Sequence, residues 1–445
     1  MIHFIPMIPF YIVLLSLLLA FTSLGQGARN APQWFKGNLH AHSYWGGNWR
    51  EDRSFPEDTL NYYRTNGYHF VSLTDHDIIQ TDTKKWVEIS PDTITAGALR
   101  RYTNTYGKGA ETKTENDRST RATTTYVRLK TIPELKRQFE QRGRFLIIPG
   151  AGLNAKSGSL TAHMNAVNIA ETPPAPQGET IGEMIAAAAK SVAEQSEKSK
   201  SEMMLILNNP FARYFDVQVE NLFAHPEIRF FEMGDIADRY DAHKDWYGNG
   251  KFWDVANAFR ISAGHPALYA VNTDHAQRFQ GGGYRGWVRV RAPELSAGAI
   301  VGAMNRGDFY ASCGVELRNV VYDPRKGELT VAVEPKKGET YEIAFIVTRA
   351  GFERGATRFS DPAADRKPAR RGNAYSDTIG VVAKTVSGTT ATYTLQADDM
   401  YARAVVTSSK PKNLLVPSAL RPNYDSAFTQ PVGWQQWQER NKVKN

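Results

Sequence analysis

Two histidines separated by a single residue, His40 and His42, stand at the end of the apolar segment FKGNLHAH. Alternate side chains of a β-strand point to the same face, so both imidazoles are directed to one side of the sheet. Imidazole nitrogens are common ligands of zinc, manganese and iron ions. The spacing therefore predicts a metal-binding pair at a strand end.

A second polar cluster follows the next apolar segment, YHFVSLTDHD. It contributes a carboxylate and an imidazole from Asp75 and His76. Such groups ligate metal ions, orient water molecules or transfer protons. A lone histidine is more often a structural residue, but two clusters at successive strand ends favour metal chemistry.

Short apolar segments that end in polar or ionisable residues recur along the chain and predict the strands that position these side chains. They are FKGNLHAH, YHFVSLTDHD, RFLIIPGAG, HMNAVNI, MMLILNNP, IRFFEMGD and ALYAVNTDH. Helical patterns at residues 56–66, 132–141, 178–197 and 250–259 lie between some of them. The alternation predicts an α/β fold with parallel strands and right-handed crossovers. Seven strands with polar carboxyl ends favour a closed barrel, although an open doubly wound sheet would give similar segments.

The pattern changes after residue 313. The segments ELTVAVEP, YEIAFIVTRAG, IGVVAKTVSG, TATYTLQA and YARAVVTSS alternate apolar and polar residues. We interpret residues 314–409 as a small antiparallel β-sandwich and residues 410–445 as an irregular tail that packs on the body. Residues 93–125 contain few aliphatic side chains and predict a long surface loop or lid.

The composition describes a globular protein, with 445 residues, 41% hydrophobic and 22% charged. This length fits one large and one small domain. The net charge of +8 is not concentrated in a basic block, which argues against nucleic-acid binding and is compatible with an anionic small substrate. Cys313 is the single cysteine, so no intramolecular disulfide forms, and we interpret it as a small buried residue.

The amino-terminal segment has the features of an export signal. Residues 10–24 are apolar, and Gly25, Gly27 and Ala28 offer a cleavage site. Residues 1–28 are therefore predicted to direct the protein to the periplasm or the exterior. No Lys or Arg precedes residue 29, so an uncleaved membrane anchor is the alternative.

Together the motifs resemble those of the polymerase-and-histidinol-phosphatase (PHP) family. The resemblance covers residues 34–313 and rests on His-x-His, Thr-Asp-His-Asp, Ile-Pro-Gly, a strand with a histidine, Asn-Asn-Pro and Asp-His. It implies a distorted (β/α)7 barrel, similar to a TIM barrel, at residues 31–313, with a di- or trinuclear metal site that hydrolyses phosphoesters. The chain resembles in particular exported members with a carboxyl-terminal β domain. The implied metal ligands are His40, His42, His76, His163 and His275.

The chain departs from the family pattern at positions that supply ligands. Gly152 stands where the family has a carboxylate that bridges two metals, and Asn209 stands where it has a histidine. Thr273 precedes Asp274 and His275, which displaces a carboxylate by one residue. Without the bridging carboxylate, the repulsion between two cations is less well screened. These departures predict a reduced site with one or two divalent ions, zinc, manganese or iron.

The leading functional hypothesis is an exported metal-dependent hydrolase of the phosphoesterase type. Asp75 or Asp274 would orient or deprotonate a water molecule, and His76 or His275 would complete the site or protonate the leaving group.

The substrate is expected to be an anionic small molecule or oligosaccharide. Arg213, Arg278 and Arg285 follow predicted strand ends and are candidates for clamping an anionic group. Trp45 lies in the aromatic segment YWGGNW and is a candidate for stacking on a sugar ring.

Two alternatives keep the barrel and change the chemistry. One is an acid–base lyase or dehydratase that acts on an acidic carbohydrate with little or no metal, with His163 or Tyr214 as the base. The other is a non-catalytic, PHP-like binding protein.

Overall fold

The structure of the chain is a computed structural model. It describes residues 31–46, 54–82, 84–91, 93–107, 110–210, 217–233, 249–273, 286–360, 371–411 and 424–442. The predicted export signal at residues 1–28 lies outside these ranges. Within them, no helix is both long and apolar enough to cross a membrane.

The helices begin where the sequence supplies caps. Thr131 and Thr180 each form a reciprocal capping box with a glutamate three residues later, and Pro56 occupies the first turn of its helix. The four predicted helical segments are confirmed as α1, α3, α4 and α6. The helices in the described ranges are α1 (Pro56–Thr65), α2 (Ala96–Tyr106), α3 (Ile132–Phe139), α4 (Ile181–Ser199), α5 (Val219–Ala224), α6 (Asn249–Ser262), α7 (Ala297–Arg306) and α8 (Trp434–Lys442).

The strands form one large mixed sheet and three small sheets. They are β1 (Gln33–Ala41), β2 (Phe70–Leu73), β3 (Trp86–Glu88), β4 (Thr112–Asn116), β5 (Thr123–Arg128), β6 (Leu146–Ser157), β7 (Leu160–Val167), β8 (Met204–Asn208), β9 (Phe230–Glu232), β10 (Tyr269–Val271), β11 (Trp287–Ala292), β12 (Phe309–Ser312), β13 (Leu317–Asp323), β14 (Glu328–Val333), β15 (Tyr341–Arg349), β16 (Ala356–Ser360), β17 (Arg371–Tyr375), β18 (Val381–Ser387), β19 (Thr390–Thr394), β20 (Asp399–Pro411) and β21 (Tyr424–Thr429). The large sheet has 13 strands in the order β10-β9-β8-β7-β6-β2-β1-β11-β12-β21-β20-β15-β18. The fold is therefore mixed α/β.

One strand of the predicted parallel set runs the other way. Strands β1, β2, β6, β8, β9 and β10 share one direction, whereas β7 is antiparallel to both of its neighbours. Ser157 pairs with Leu160, so a two-residue turn that starts at Gly158, with φ +57°, joins β6 to β7. Such a connection is too short for a parallel crossover, so the expectation of an all-parallel arrangement is wrong at β7. The start of β7 consequently lies beside the end of β8.

The large sheet curls until its edge strand β10 meets β12, far from it in the strand order. The Asn272 side chain donates a hydrogen bond to the Ser312 carbonyl over 3.1 Å. The Gln430 amide bonds the N–H and the carbonyl of Ala270, at 2.9 Å each. Within the described ranges these side-chain bonds, together with the backbone hydrogen bond from the Gly286 N–H to the Thr273 carbonyl at 3.0 Å, join the two parts of the sheet. In these ranges the strands form no continuous closed ladder.

The carboxyl-terminal strands continue the large sheet. Strand β21 comes from the segment predicted to be an irregular tail, and it pairs with both β12 and β20. The small sheet β13-β14-β19 shares an apolar cluster with β15 and β20, which includes Leu329, Val331, Phe345 and Val406. A buried ion pair joins strand β20 to helix α6. Nη2 of Arg403 on β20 lies 2.6 Å from Oδ2 of Asp254 on α6.

The predicted surface loop at residues 93–125 contains regular structure. Thr95 caps α2, and β3, β5 and β4 form a three-stranded antiparallel sheet. The expectation of a loop is wrong at β4 and β5, because the β-branched side chain of threonine favours strands. The expected surface position is confirmed, since most side chains of residues 111–123 are exposed.

Candidate metal centre

Three histidines converge on one point of the large sheet. His40 and His42 share a face of β1 and its extension, and His163 reaches them because β7 is antiparallel. One ring nitrogen of each lies within 4.8 Å of the other two, and the Nε2 atoms of His40 and His42 are 2.9 Å apart. His40 and His163 are buried, and His42 is partly exposed. This group could hold a metal ion.

Gly152 makes room for His163. A Cβ atom at position 152 would lie 2.8 Å from the Thr74 carbonyl oxygen and 3.0 Å from Cε1 of His163. Both distances are shorter than an ordinary van der Waals contact. The absence of a side chain at Gly152 thus admits the His163 ring to the site.

Glu232 orients His40. Its carboxylate, at the end of β9, is fully buried and lies 3.2 and 3.3 Å from Nδ1 of His40. It also accepts hydrogen bonds from the Thr273 hydroxyl and from the Asn209 backbone N–H. Because a carboxylate only accepts, Nδ1 of His40 carries the proton, and its Nε2 lone pair faces His42. A carboxylate behind a ligand histidine is the usual support of a protein metal site.

The side chain of Asn154 on β6 forms hydrogen bonds with both His163 and His76. Its Oδ1 is 3.1 Å from Nδ1 of His163, and its Nδ2 is 3.1 Å from Nδ1 of His76. Nδ2 also donates to the Asp77 carboxylate over 2.9 Å. Asn154 therefore holds the His163 ring in place from the side opposite to Nε2.

His76 borders the three-histidine group without belonging to it. Its ring stacks on His42, with 4.6 Å between centroids and 16° between planes, and its centroid lies 5.0 Å from that of His163. Among the described residues, the nitrogens close enough to share one ion come from His40, His42 and His163.

Asp75 lies fully buried beneath the segment that follows β1. Its carboxylate accepts hydrogen bonds from the backbone N–H and the hydroxyl of Ser43, and from the Gln80 amide at 2.6 Å. Burial raises the pKa of Asp75 to about 7, against the opposing effect of these bonds. Both oxygens are engaged in holding the ends of β1 and β2 together.

Trp45 does not lie on a substrate surface. Its side chain is 1% exposed, and its indole N–H donates to the Lys130 carbonyl over 2.9 Å. It packs in an apolar cluster with Phe55 and Tyr102. The indole N–H and the ring faces of Trp45 are therefore both used inside the protein.

The other predicted site residues lie outside the described ranges, so no contact is assigned to them. They are Asp274, His275, Arg213, Arg278, Arg285 and Tyr214.

Glu232 and Asn154 were not predicted from the sequence. A signal for Glu232 is present, because IRFFEMGD places one carboxylate within an apolar strand, where an acidic residue needs a specific partner. Asn154 carries no comparable signal, because its role depends on the hairpin that brings His163 beside it.

The three-histidine group fits a transition-metal ion by its donor chemistry. Zinc–nitrogen bonds of about 2.1 Å place tetrahedral ligand nitrogens about 3.4 Å apart. The observed nitrogen separations, 2.9 Å between His40 and His42 and no more than 4.8 Å within the group, span this value. No family model matches the chain, and comparison with curated proteins gives no match. The chemistry of the site is therefore argued from its geometry.

Proposed function

We propose that the chain is an exported metal-dependent hydrolase of the phosphoesterase type, with one or two divalent ions, on a PHP-like (β/α) barrel followed by a β-sandwich-like domain. The observation that carries this proposal is the convergence of His40, His42 and His163. The end of β1 supplies His40 and His42, the first half of β7 supplies His163, and hydrogen-bond partners support His40 and His163 from behind. Purely structural histidines have no need to converge in this way.

One ion is favoured over two. The bridging carboxylate expected of a two-ion site is replaced by Gly152, and the space beside it holds the His163 ring. A bound divalent ion would polarise a substrate oxygen and lower the pKa of a water molecule. The protein's part is to hold three neutral imidazoles, with His40 oriented by the negative charge of Glu232.

Groups next to the three histidines can donate protons or hydrogen bonds to an anionic substrate. His76 lies against His42 and is partly exposed, so it is placed to donate a hydrogen bond to a phosphoryl group or to a leaving group. An anionic substrate also accords with the net charge of +8. Arg213, Arg278 and Arg285 remain the proposed clamps.

The proposal is tested by metal analysis together with assays of hydrolysis. Protein purified without chelator should contain about one equivalent of zinc, manganese or iron. It should hydrolyse members of a phosphomonoester and phosphodiester panel only with metal, and His40→Gln should abolish both properties. His225→Gln is the matched control, since His225 is paired with Glu227 and lies outside the three-histidine group. Absence of phosphoester hydrolysis would refute the proposal, and absence of bound metal as well would favour a non-catalytic binding protein.

A second candidate is an acid–base lyase acting on an acidic carbohydrate. The observation in its favour is the link between His76 and His163 through one amide, which holds two imidazoles side by side without a metal. Activity on a uronate that survives EDTA and is lost in His163→Ala would favour this candidate.

A further inference from the structure

The orientation of the Asn154 amide is determined by its neighbours. A carboxamide oxygen only accepts hydrogen bonds, and its nitrogen only donates them. Asp77 provides the deciding contact, because its carboxylate is 2.9 Å from Nδ2 of Asn154 and cannot donate. The reversed amide would place two acceptors against each other. Nδ2 therefore faces Asp77 and His76, and Oδ1 faces His163.

This orientation gives the two histidines opposite tautomers. His163 approaches the amide oxygen through Nδ1 over 3.1 Å, so its Nδ1 carries a proton and its Nε2 has a lone pair. His76 approaches the amide nitrogen through Nδ1 over 3.1 Å, so its Nδ1 has the lone pair. The proton of a neutral His76 then lies on Nε2. His76 can donate from Nε2 in its neutral and in its protonated state.

We propose that Asn154 is a positioning residue that divides the histidines into two roles, with His163 as a metal ligand through Nε2 and His76 as a hydrogen-bond donor to the substrate. This deepens the proposed function, on which it rests. It also departs from the PHP resemblance, which makes His76 a ligand. The partner of His76 is an anionic oxygen of the substrate, such as a phosphoryl oxygen, because such an atom accepts and never donates.

The tautomers are measured directly by nitrogen NMR of the full-length, metal-free protein labelled with ¹⁵N-histidine. His163 should show a protonated Nδ1, and His76 should show a protonated Nε2 and an unprotonated Nδ1. Asn154→Leu, which keeps the size and removes the hydrogen bonds to His163, His76 and Asp77, should abolish this difference. Asn61→Asp is the matched control, because Asn61 lies on α1 and its side-chain oxygen accepts from Arg64. A wild-type His163 protonated on Nε2 would overturn the inference.

Metal affinity separates the two roles without any measurement of activity. Asn154→Leu, which removes a support of the ligand, should weaken zinc binding by about 10- to 100-fold, measured by competition with a chromophoric chelator. His163→Gln removes the ligand itself and should weaken zinc binding by at least as much. His76→Gln should leave zinc affinity within about threefold of the wild type and raise KM for any anionic substrate found. If His76→Gln weakens zinc binding as much as His163→Gln does, the assignment of roles is wrong.

The outcomes distinguish this inference from the proposed function. A protein with the stated tautomers and affinities that hydrolyses no phosphoester would refute the proposed function and leave the assignment of Asn154 intact. A phosphoesterase in which His76 and His163 share one tautomer would support the proposed function and refute the role assigned to Asn154. Should Asn154→Leu fail to fold, the wild-type spectrum and the two histidine variants still decide the question.

Discussion

The contact between Glu232 and His40 offers the sharpest test of the metal centre. Replacing Glu232 with glutamine keeps the size of the side chain and removes its negative charge. The wild-type carboxylate accepts from His40, Thr273 and the Asn209 backbone, whereas a glutamine has one accepting oxygen and adds an N–H₂ donor. His40 would lose the charged group that fixes its tautomer.

The size of the effect follows from the distance between the carboxylate and a bound ion. Nδ1 of His40 is 3.2 Å from the carboxylate, and the ring and one metal–nitrogen bond bring the ion to about 7 Å. At that distance, one negative charge and a divalent ion attract by about 1 kcal/mol in water and by about 5 kcal/mol at an effective dielectric constant of about 20. A 10- to 100-fold loss of affinity, about 1.4–2.7 kcal/mol, lies between these limits. We expect Glu232→Gln to weaken metal binding by that factor.

The assay is metal titration against a chromophoric chelator at pH 7.5, with thermal unfolding of the metal-free protein measured alongside. Glu220→Gln is the matched control, because Glu220 on α5 is also a hydrogen-bonded glutamate, which accepts from Asn373 and Tyr375. It should bind metal as the wild type does. A Glu232→Gln protein that folds normally and binds metal within about threefold of the wild type would refute the reasoning.

Three further predictions concern the neighbourhood of the site and the stability of the fold. Gly152→Ala places a methyl group 3.0 Å from the His163 ring, so metal affinity in chelator competition should fall by about tenfold or more, and an unchanged affinity would contradict this. Burial raises the pKa of Asp75 from 3.8 to about 7, so the folded state retains a proton that the unfolded state loses between these pH values. The unfolding free energy should therefore decrease by at most about 4 kcal/mol as the pH rises from about 4 to 7. Urea denaturation of metal-free Asp75→Asn should lack this decrease; an identical pH dependence in wild type and variant would count against burial as its cause. Arg403→Met leaves the buried Asp254 without its ion-pair partner and should lower the unfolding free energy by about 3–5 kcal/mol, measured by urea denaturation. A loss below about 1 kcal/mol would contradict this prediction.

Local patterns predicted the elements that carry the site. Apolar periodicity and capping residues located α1, α3, α4 and α6, because these signals act over a few residues. The period of two also placed His40 and His42 on one face, and their nitrogens do approach each other. No local pattern predicts strand β21 in the carboxyl-terminal tail. Its partners, β12 and β20, come from other parts of the chain.

The roles within the site depended on contacts that no local pattern contains. From the sequence, Gly152 indicates only that a carboxylate is missing at this position. In the structure, the hairpin of β6 and β7 places the His163 ring against it. Glu232 and Asn154 became visible as partners of His40 and His163 only in three dimensions.

The sequence by itself determined that His40 and His42 lie on one face near the end of β1 and that position 152 carries no side chain, because residue type and strand period are local properties. Only the tertiary structure decided which histidines meet. The direction of β7 turns His163 toward His40, and one amide, that of Asn154, separates the role of His163 from that of His76. Strand direction and hydrogen-bond donor geometry arise from pairings across the sheet, and these pairings are fixed when the whole chain folds.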